Sequence, residues 1–320
     1  TIDGLVGGFV FMGIFLGIQG AVSQGILWGI AALGIFVTFR LLDIADMSVD
    51  GTFATGGCVA AIGIASGLNP FLATLLAMIS GFLAGSITGV LHTRFKIPSI
   101  LAGILTQLGL YSIDLRILGR SNLPLLKVDT IFDNFSQLTG LNTTYSTLIL
   151  GIVFALVVTV VLYWFFGTEI GSAIRATGSN EQMVRSLACN TDSTKMLGLM
   201  ISNSLVALSG ALVTQSQGYA DVKMGTGAIV IGLASIIIGE VIVPKRANFW
   251  IRLSSLVLGS IIYRIIIALV LQMGLNTDDL KLLTAVLVGL ALAVPTLLAR
   301  RAQKARYKSS LKKKRGANNA

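Results

Sequence analysis

Ten apolar segments follow one another along this chain, at residues 5–19, 22–39, 52–67, 70–91, 97–114, 145–166, 195–217, 226–243, 248–273 and 279–299. A helix needs about 20 apolar residues to cross a bilayer, within a range of roughly 17–25. Most of the ten meet that length, and each is read as a helix. The first, third and eighth are short. The first reads either as an interfacial arm or as one end of a long bent helix that continues into the second. The other two read as broken or tilted helices. One polar stretch of 29 residues, Gly167 to Lys195, interrupts the pattern.

That insert carries structural signals of its own. Ser179 followed by Gln182 has the spacing of a capping box, so a helix is expected to begin near Asn180. Met183, Val184, Leu187 and Ala188 then share one face, and Glu181, Gln182, Arg185 and Ser186 the other. Gly171 and Gly178 are read as bends on the approach. Two readings stay open for this amphipathic helix: it lies on the membrane surface, or it docks a partner in water.

Composition fixes the class. Apolar residues make up 54% and charged residues 12%, against roughly 25% charged in soluble domains. The 36 glycines suit membrane helices that approach closely. The chain is thus expected to be an all-α polytopic membrane protein. Its domains are one transmembrane unit over 1–299 and a basic tail over 300–320. Cys58 and Cys189 stand far apart without histidine near them, which suggests neither a disulfide framework nor a zinc site. No signal peptide is expected, because no basic leader precedes the first apolar run.

Charge sets the orientation. With both termini in the cytoplasm, inner loops and tail hold 18 Lys and Arg residues, outer loops hold five, and Arg264 falls inside a segment. This is a positive-inside bias. It places the insert in the cytoplasm and the loop from Leu115 to Tyr145 outside. The tail RRAQKARYKSSLKKKRGANNA reads as a membrane anchor attracting anionic headgroups rather than as a nucleic-acid arm.

The run TEIGSAIRATGSNEQMVRSLACNTDSTK resembles the cytoplasmic coupling loop of ABC importer permeases in the ribose and branched-chain amino acid group. Thr168, Gly171, Arg175, Ala176, Gly178, Asn180 and the Cys189–Asn190 turn stand in the matching places. Ala188 departs from the glycine usual before that turn. The continuation NSLVALSGALVTQSQGYAD is similar through Ser204, Ala207, Leu208, Gly210 and Leu212. Three further stretches resemble the family in the same order: FRLLDIADMSVDGTFATGG, KIPSILAGILTQLGLYSI and GTGAIVIGLASIIIGE. Asp50 before Gly51 brings the first of these closer to a subgroup linked with tryptophan and tyrosine uptake. The resemblance covers most of residues 20–300.

The resemblance implies a type II-like ABC importer permease bundle in a bacterial plasma membrane. An external binding protein would deliver the solute, and two cytoplasmic ATPase subunits would drive it. A second copy of this chain would complete the pore. The coupling residues would be Gly171, Arg175, Gly178, Ser179, Asn180, Glu181, Met183, Val184, Arg185 and Leu187. No P-loop occurs in the chain. ATP and magnesium would therefore belong to the partner, and no cofactor or nucleic acid is expected here. An amino acid, with an aromatic one favoured, is the expected solute. The alternatives are a sugar or nucleoside importer, an ion-coupled secondary transporter, and a scaffold without transport.

Polar residues at membrane depth are costly and tend to face cavities or partner helices. The candidate path comprises Asp46, Ser48, Asp50, Thr52, Gln107, Asn203, Gln215, Ser235 and Glu240, with Thr106, Thr214 and Gln217 close behind. Asp43 to Thr52 is expected to break a helix near the path. For each of them, hydrogen bonding between helices is the competing role. Arg264 is expected either to extend toward the outer surface or to pair with an acid, Asp114 being at a similar level.

Overall fold

A computed structural model describes residues 2–126, 128–243 and 247–272 and a few positions between 282 and 293; for residues 2–16 it describes the backbone alone. Eleven helices and two short strands are described. They are α1 (Ile2–Phe36), α2 (Val49–Ala65), α3 (Pro70–Thr93), α4 (Ser99–Leu118), β1 (Asn122–Pro124), α5 (Ile131–Thr139), α6 (Thr143–Gly167), α7 (Glu169–Ser179), α8 (Glu181–Ser186), α9 (Thr191–Gln217), β2 (Tyr219–Asp221), α10 (Ala228–Ile242) and α11 (Phe249–Gln272). Six described stretches are long and apolar enough to cross a membrane, and α2 and α10 are shorter apolar helices. The tenth apolar segment and the basic tail lie outside the described residues.

The bundle is built around α9, which packs against α1, α2 and α3. Small residues let it come close. A Cβ on Gly56 would run into the Ala207 carbonyl, and one on Gly210 into the Phe53 carbonyl, so α2 and α9 cross backbone to backbone. Around them Trp28 stacks on Phe53 with ring centroids 4.4 Å apart. The outer faces of α3, α4 and α6 expose Leu75, Leu83, Leu105, Leu108, Val157 and Trp164, as suits helices bathed in lipid rather than water.

The two ends of the bundle differ. One, the basic end, gathers Arg40, Lys96, Arg252 and the insert α7–α8. The other, the ribbon end, carries β1 paired antiparallel with β2, with Leu123 opposite Ala220. Gly119 and Gly218 close α4 and α9 there with φ of 66° and 75°, the left-handed conformation that ends a helix. Leu118, Leu123, Leu125, Ala220 and Val222 form a small second core beneath the ribbon.

One open alternative is decided and one expectation changes. The first two apolar segments are one continuous helix, the long-helix alternative, with a wider turn at Val37–Leu41. Gln24 already reaches Ser216 near the ribbon end, 3.1 Å away, so α1 carries Ile2 away from Arg40. The N-terminal end therefore does not share the basic side with Arg40, because no hairpin separates the two segments. The break between α1 and α2 is present as expected. Residues 43–47 have no regular helix; they run inward from exposed Asp43 to Asp46, which is buried beside Asn203, the middle of α9.

Candidate functional site

The insert folds as two short helices rather than one. Thr168 caps α7 by accepting from Gly171 N, and Asn180 caps α8 by accepting from Met183 N at 3.0 Å. Ser179 is not the cap: it ends α7, and its hydroxyl donates back to the Arg175 carbonyl. Gly171 and Gly178 are not bends either. Both lie inside α7 where the backbone touches its neighbours. A Cβ at 171 would strike Phe165 and Phe166, and one at 178 would strike the backbone of Leu41 and Leu42. α7 is thereby pressed against the end of α1.

α8 is fixed to α9 by charge. Glu181 accepts from Lys195 at 2.8 Å and from Arg185 at 2.8 Å, and Arg185 also donates to Thr191 at 2.8 Å. Thr177 and Thr194 join α7 to α9 through their hydroxyls at 3.0 Å. Val184 and Ile174 are buried beneath, whereas Met183 is 50% and Leu187 72% exposed. The expected apolar face is therefore split. Val184 points into the protein, while Met183 and Leu187 stand free. Ala188 follows with φ 60°, a left-handed conformation that costs a non-glycine residue about 1 kcal/mol. This is the physical reason a glycine suits that position.

The hydrogen bond from Lys195 holds the Glu181 carboxyl below the usual carboxylate range, against the opposing pull of burial, and the Lys195 and Arg185 charges add to it. A depressed folded pKa gives stability that is present above the unfolded value of about 4.3 and is lost as pH falls through the folded one. Acidification from pH 7 to 4 should thus speed amide exchange in α8 several-fold, after correction for intrinsic rates, and Glu181→Gln should flatten that dependence. Glu181 is about a third exposed, so the effect stays small.

In the middle of the bundle the polar residues form a closed knot. Asn203 Nδ2 donates to Asp46 Oδ2 at 2.8 Å, and its Oδ1 accepts from Thr52 at 2.7 Å and Ser48 at 3.1 Å. Ser48 also donates to Asp46 Oδ1 through its hydroxyl at 2.6 Å and its amide at 2.8 Å. All four residues are buried. The non-helical backbone between α1 and α2 is tolerated at this depth because the knot satisfies it.

Beside the knot, toward the ribbon end, a cavity of about 460 Å³ is lined by Asp50, Gln107, Tyr111, Asp114, Lys223 and Thr226 among others. Asp50 accepts from Gly227 N at 2.8 Å and Ile229 N at 2.9 Å. It thereby ties α2 to the start of α10, where free amides favour an anion.

The nine path candidates thus separate. Asp50 and Gln107 line the cavity. Asp46, Ser48, Thr52 and Asn203 make the neighbouring knot. Gln215 donates to Thr74 at 2.8 Å and accepts from Ile131 N, linking α3, α9 and α5. Ser235 donates to Ile231 O within α10, where its own carbonyl lies against Gly259 of α11. Glu240 accepts from Arg40 Nε at 2.8 Å and lies 3.7 Å from Arg252, at the basic end. These three serve helix packing, and Glu240 is engaged by two arginines rather than facing the cavity. Of the secondary candidates, Thr106 accepts from Thr88 at 2.9 Å and Thr214 meets Met224, both between elements.

Arg264 does not meet Asp114. Its guanidinium lies 4.4 Å from the Trp28 ring, while Asp114 Oδ2 accepts from Thr55 at 3.1 Å. The pairing fails because Arg264 projects toward α1 and Asp114 toward α2. Asp114 lines the cavity, as do Tyr111, Lys223 and Thr226, none of which is among the path candidates. Gln107, Tyr111 and Asp114 share one helical face through their spacing, a signal present in the sequence. Cys58 and Cys189 are both free.

A family model described as "Branched-chain amino acid transport system / permease component" matches residues 17–297. A tyrosine transport system permease protein of Clostridioides difficile is 40% identical over 88% of this chain and 92% of its own length. An uncharacterized protein of Rickettsia prowazekii is 32% identical over 85% of this chain and 95% of its own. An autoinducer 2 import system permease protein of Salmonella choleraesuis is 30% identical over 61% of this chain and 55% of its own.

Proposed function

Since this chain belongs to the family of branched-chain amino acid transport permease components, we propose that it imports an amino acid, powered by an ATPase docked on α7–α8. The observation that carries this reading is the insert itself. It is locked to α9 and to the end of α1, yet leaves Met183 and Leu187 exposed to water. A helix anchored on one side and apolar on the other is built to receive a partner.

The basic end then faces the cytoplasm, and the ribbon end faces an external binding protein that delivers the solute. Gly171, Arg175, Gly178, Ser179, Asn180, Glu181, Val184 and Arg185 shape and hold the docking helix. Closure of two ATPase subunits, one on each copy of a permease homodimer, pushes on α8. Gly178 passes the push to Leu41 and Leu42, hence to the loop that holds Asp46 against Asn203. That knot borders the cavity, so movement at the insert reaches the solute path through contiguous contacts. Hydrolysis of ATP takes place in the partner. The tyrosine permease relative, at 40% identity, supports an amino acid and favours an aromatic one.

Reconstitution tests the reading. The permease, a co-purified ATPase subunit and a tyrosine-binding protein are placed in liposomes with labelled tyrosine outside. ATP-dependent accumulation is expected. Uptake that needs an ion gradient and ignores ATP contradicts it.

A further inference from the structure

Asp114 is fully buried, and its Oδ1 has no hydrogen-bond partner among the described residues. Its Oδ2 is already engaged by Thr55. A buried carboxylate oxygen left unpaired is expensive unless something supplies a donor. Asp114 lines the polar cavity, so a solute entering there can reach it.

The other groups define what that solute offers. Two carboxylates, Asp50 and Asp114, line the cavity with Lys223; Asp50 is already met by the Gly227 and Ile229 amides, so the unpaired Asp114 oxygen calls for a donor and disfavours an anion beside it. Among the described residues no cluster of three His, Cys, Asp or Glu could hold a metal ion. A primary ammonium fits instead, with three donors for scattered acceptors. Tyr111 stands one helical turn before Asp114 on the same face, where a ring can lie against a cation. Asp50 and Gly51 sit at the level of Gln107, about 10 Å of helix rise deeper than Asp114.

We propose that Asp114 receives the ammonium group of the transported amino acid at the mouth of the bundle, with Asp50 as the next acceptor deeper in. Lys223 stands on the solute's carboxylate side. This rests on the amino-acid importer reading and names its first contact inside the membrane.

The test separates the two ideas. In the full chain carrying Cys189→Ser, Thr226→Cys supplies a reporter thiol at the cavity wall, labelled with a small methanethiosulfonate. Millimolar tyramine or tyrosine methyl ester should slow labelling several-fold, whereas 4-hydroxyphenylpropionate, which lacks the amine, should not. Adding Asp114→Asn, which keeps the side-chain shape, should raise the protecting concentration at least tenfold. In the complete transporter the same D114N change should cut tyrosine uptake at least tenfold while the ATPase still co-purifies. Equal protection by the amine-free analogue, protection by sodium ions alone, or protection and uptake unchanged by D114N overturns the inference. Absence of ATP-driven uptake by the unmodified transporter contradicts the importer reading instead, and the labelling assay still reports on Asp114.

Discussion

Asn203→Leu should lower the stability of the bundle by about 3 kcal/mol, more than an exposed substitution costs by several-fold. Leucine keeps the branched shape, with methyl groups bulkier than the amide atoms, and removes every polar atom. Asp46 Oδ2 then loses the amide that donates to it at 2.8 Å, and Thr52 and Ser48 lose the oxygen that accepts from them. These groups are buried at the centre of the protein, so no water replaces the lost partner cheaply. The loop between α1 and α2 is held at mid-depth chiefly by these bonds. Its release should also weaken the contact of Gly103 with the Met47 and Ser48 amides. Thermal unfolding of the purified permease in detergent checks this, with a drop of several degrees expected. Removing both partners, in the double variant with Asp46→Leu, should cost less than the sum of the single changes, since no charge is then left stranded. An Asn203→Leu protein that melts with the unmodified one would show that the knot carries no stability.

Membrane class, the insert and the helix break before Asp50 were legible in the sequence, because each rests on local composition or a short motif. The rest depended on which helices meet. Gly171 and Gly178 read as bends, since a sequence shows that a glycine is flexible and not that Leu41 lies against it. Ser179 and Asn180 are equally good caps on paper. Only the hydrogen bond from Met183 N selects Asn180. Gln215 and Ser235 resembled path residues because an amide in an apolar run looks the same whether it faces a cavity or another helix. Glu240 required knowing that Arg40, two hundred positions earlier, ends beside it. Asp114 was within reach: its spacing from Tyr111 and Gln107 marks one face of α4, but an acid near a helix end draws attention to its nearest arginine by level rather than to a shared face.

Met183→Glu with Leu187→Glu should abolish capture of the ATPase subunit while the bundle stays folded. Both side chains are at least half exposed, so stability should change by less than about 0.5 kcal/mol. In the proposed docking the same positions form the dry centre of the interface, where a few apolar anchors carry most of the binding energy and an unpaired charge is costly. Two buried glutamates there should weaken association at least a hundredfold, about 2.7 kcal/mol or more. The anchoring side of the insert, Glu181 with Lys195 and Arg185, is left intact, which separates loss of docking from collapse of the loop. The direct measurement is co-purification of the co-expressed ATPase subunit with the tagged permease, alongside the melting temperature of each permease. A stoichiometric ATPase is expected on the unmodified chain and none on the double variant at an unchanged melting temperature; an ATPase retained at full stoichiometry by the double variant would contradict docking on α8.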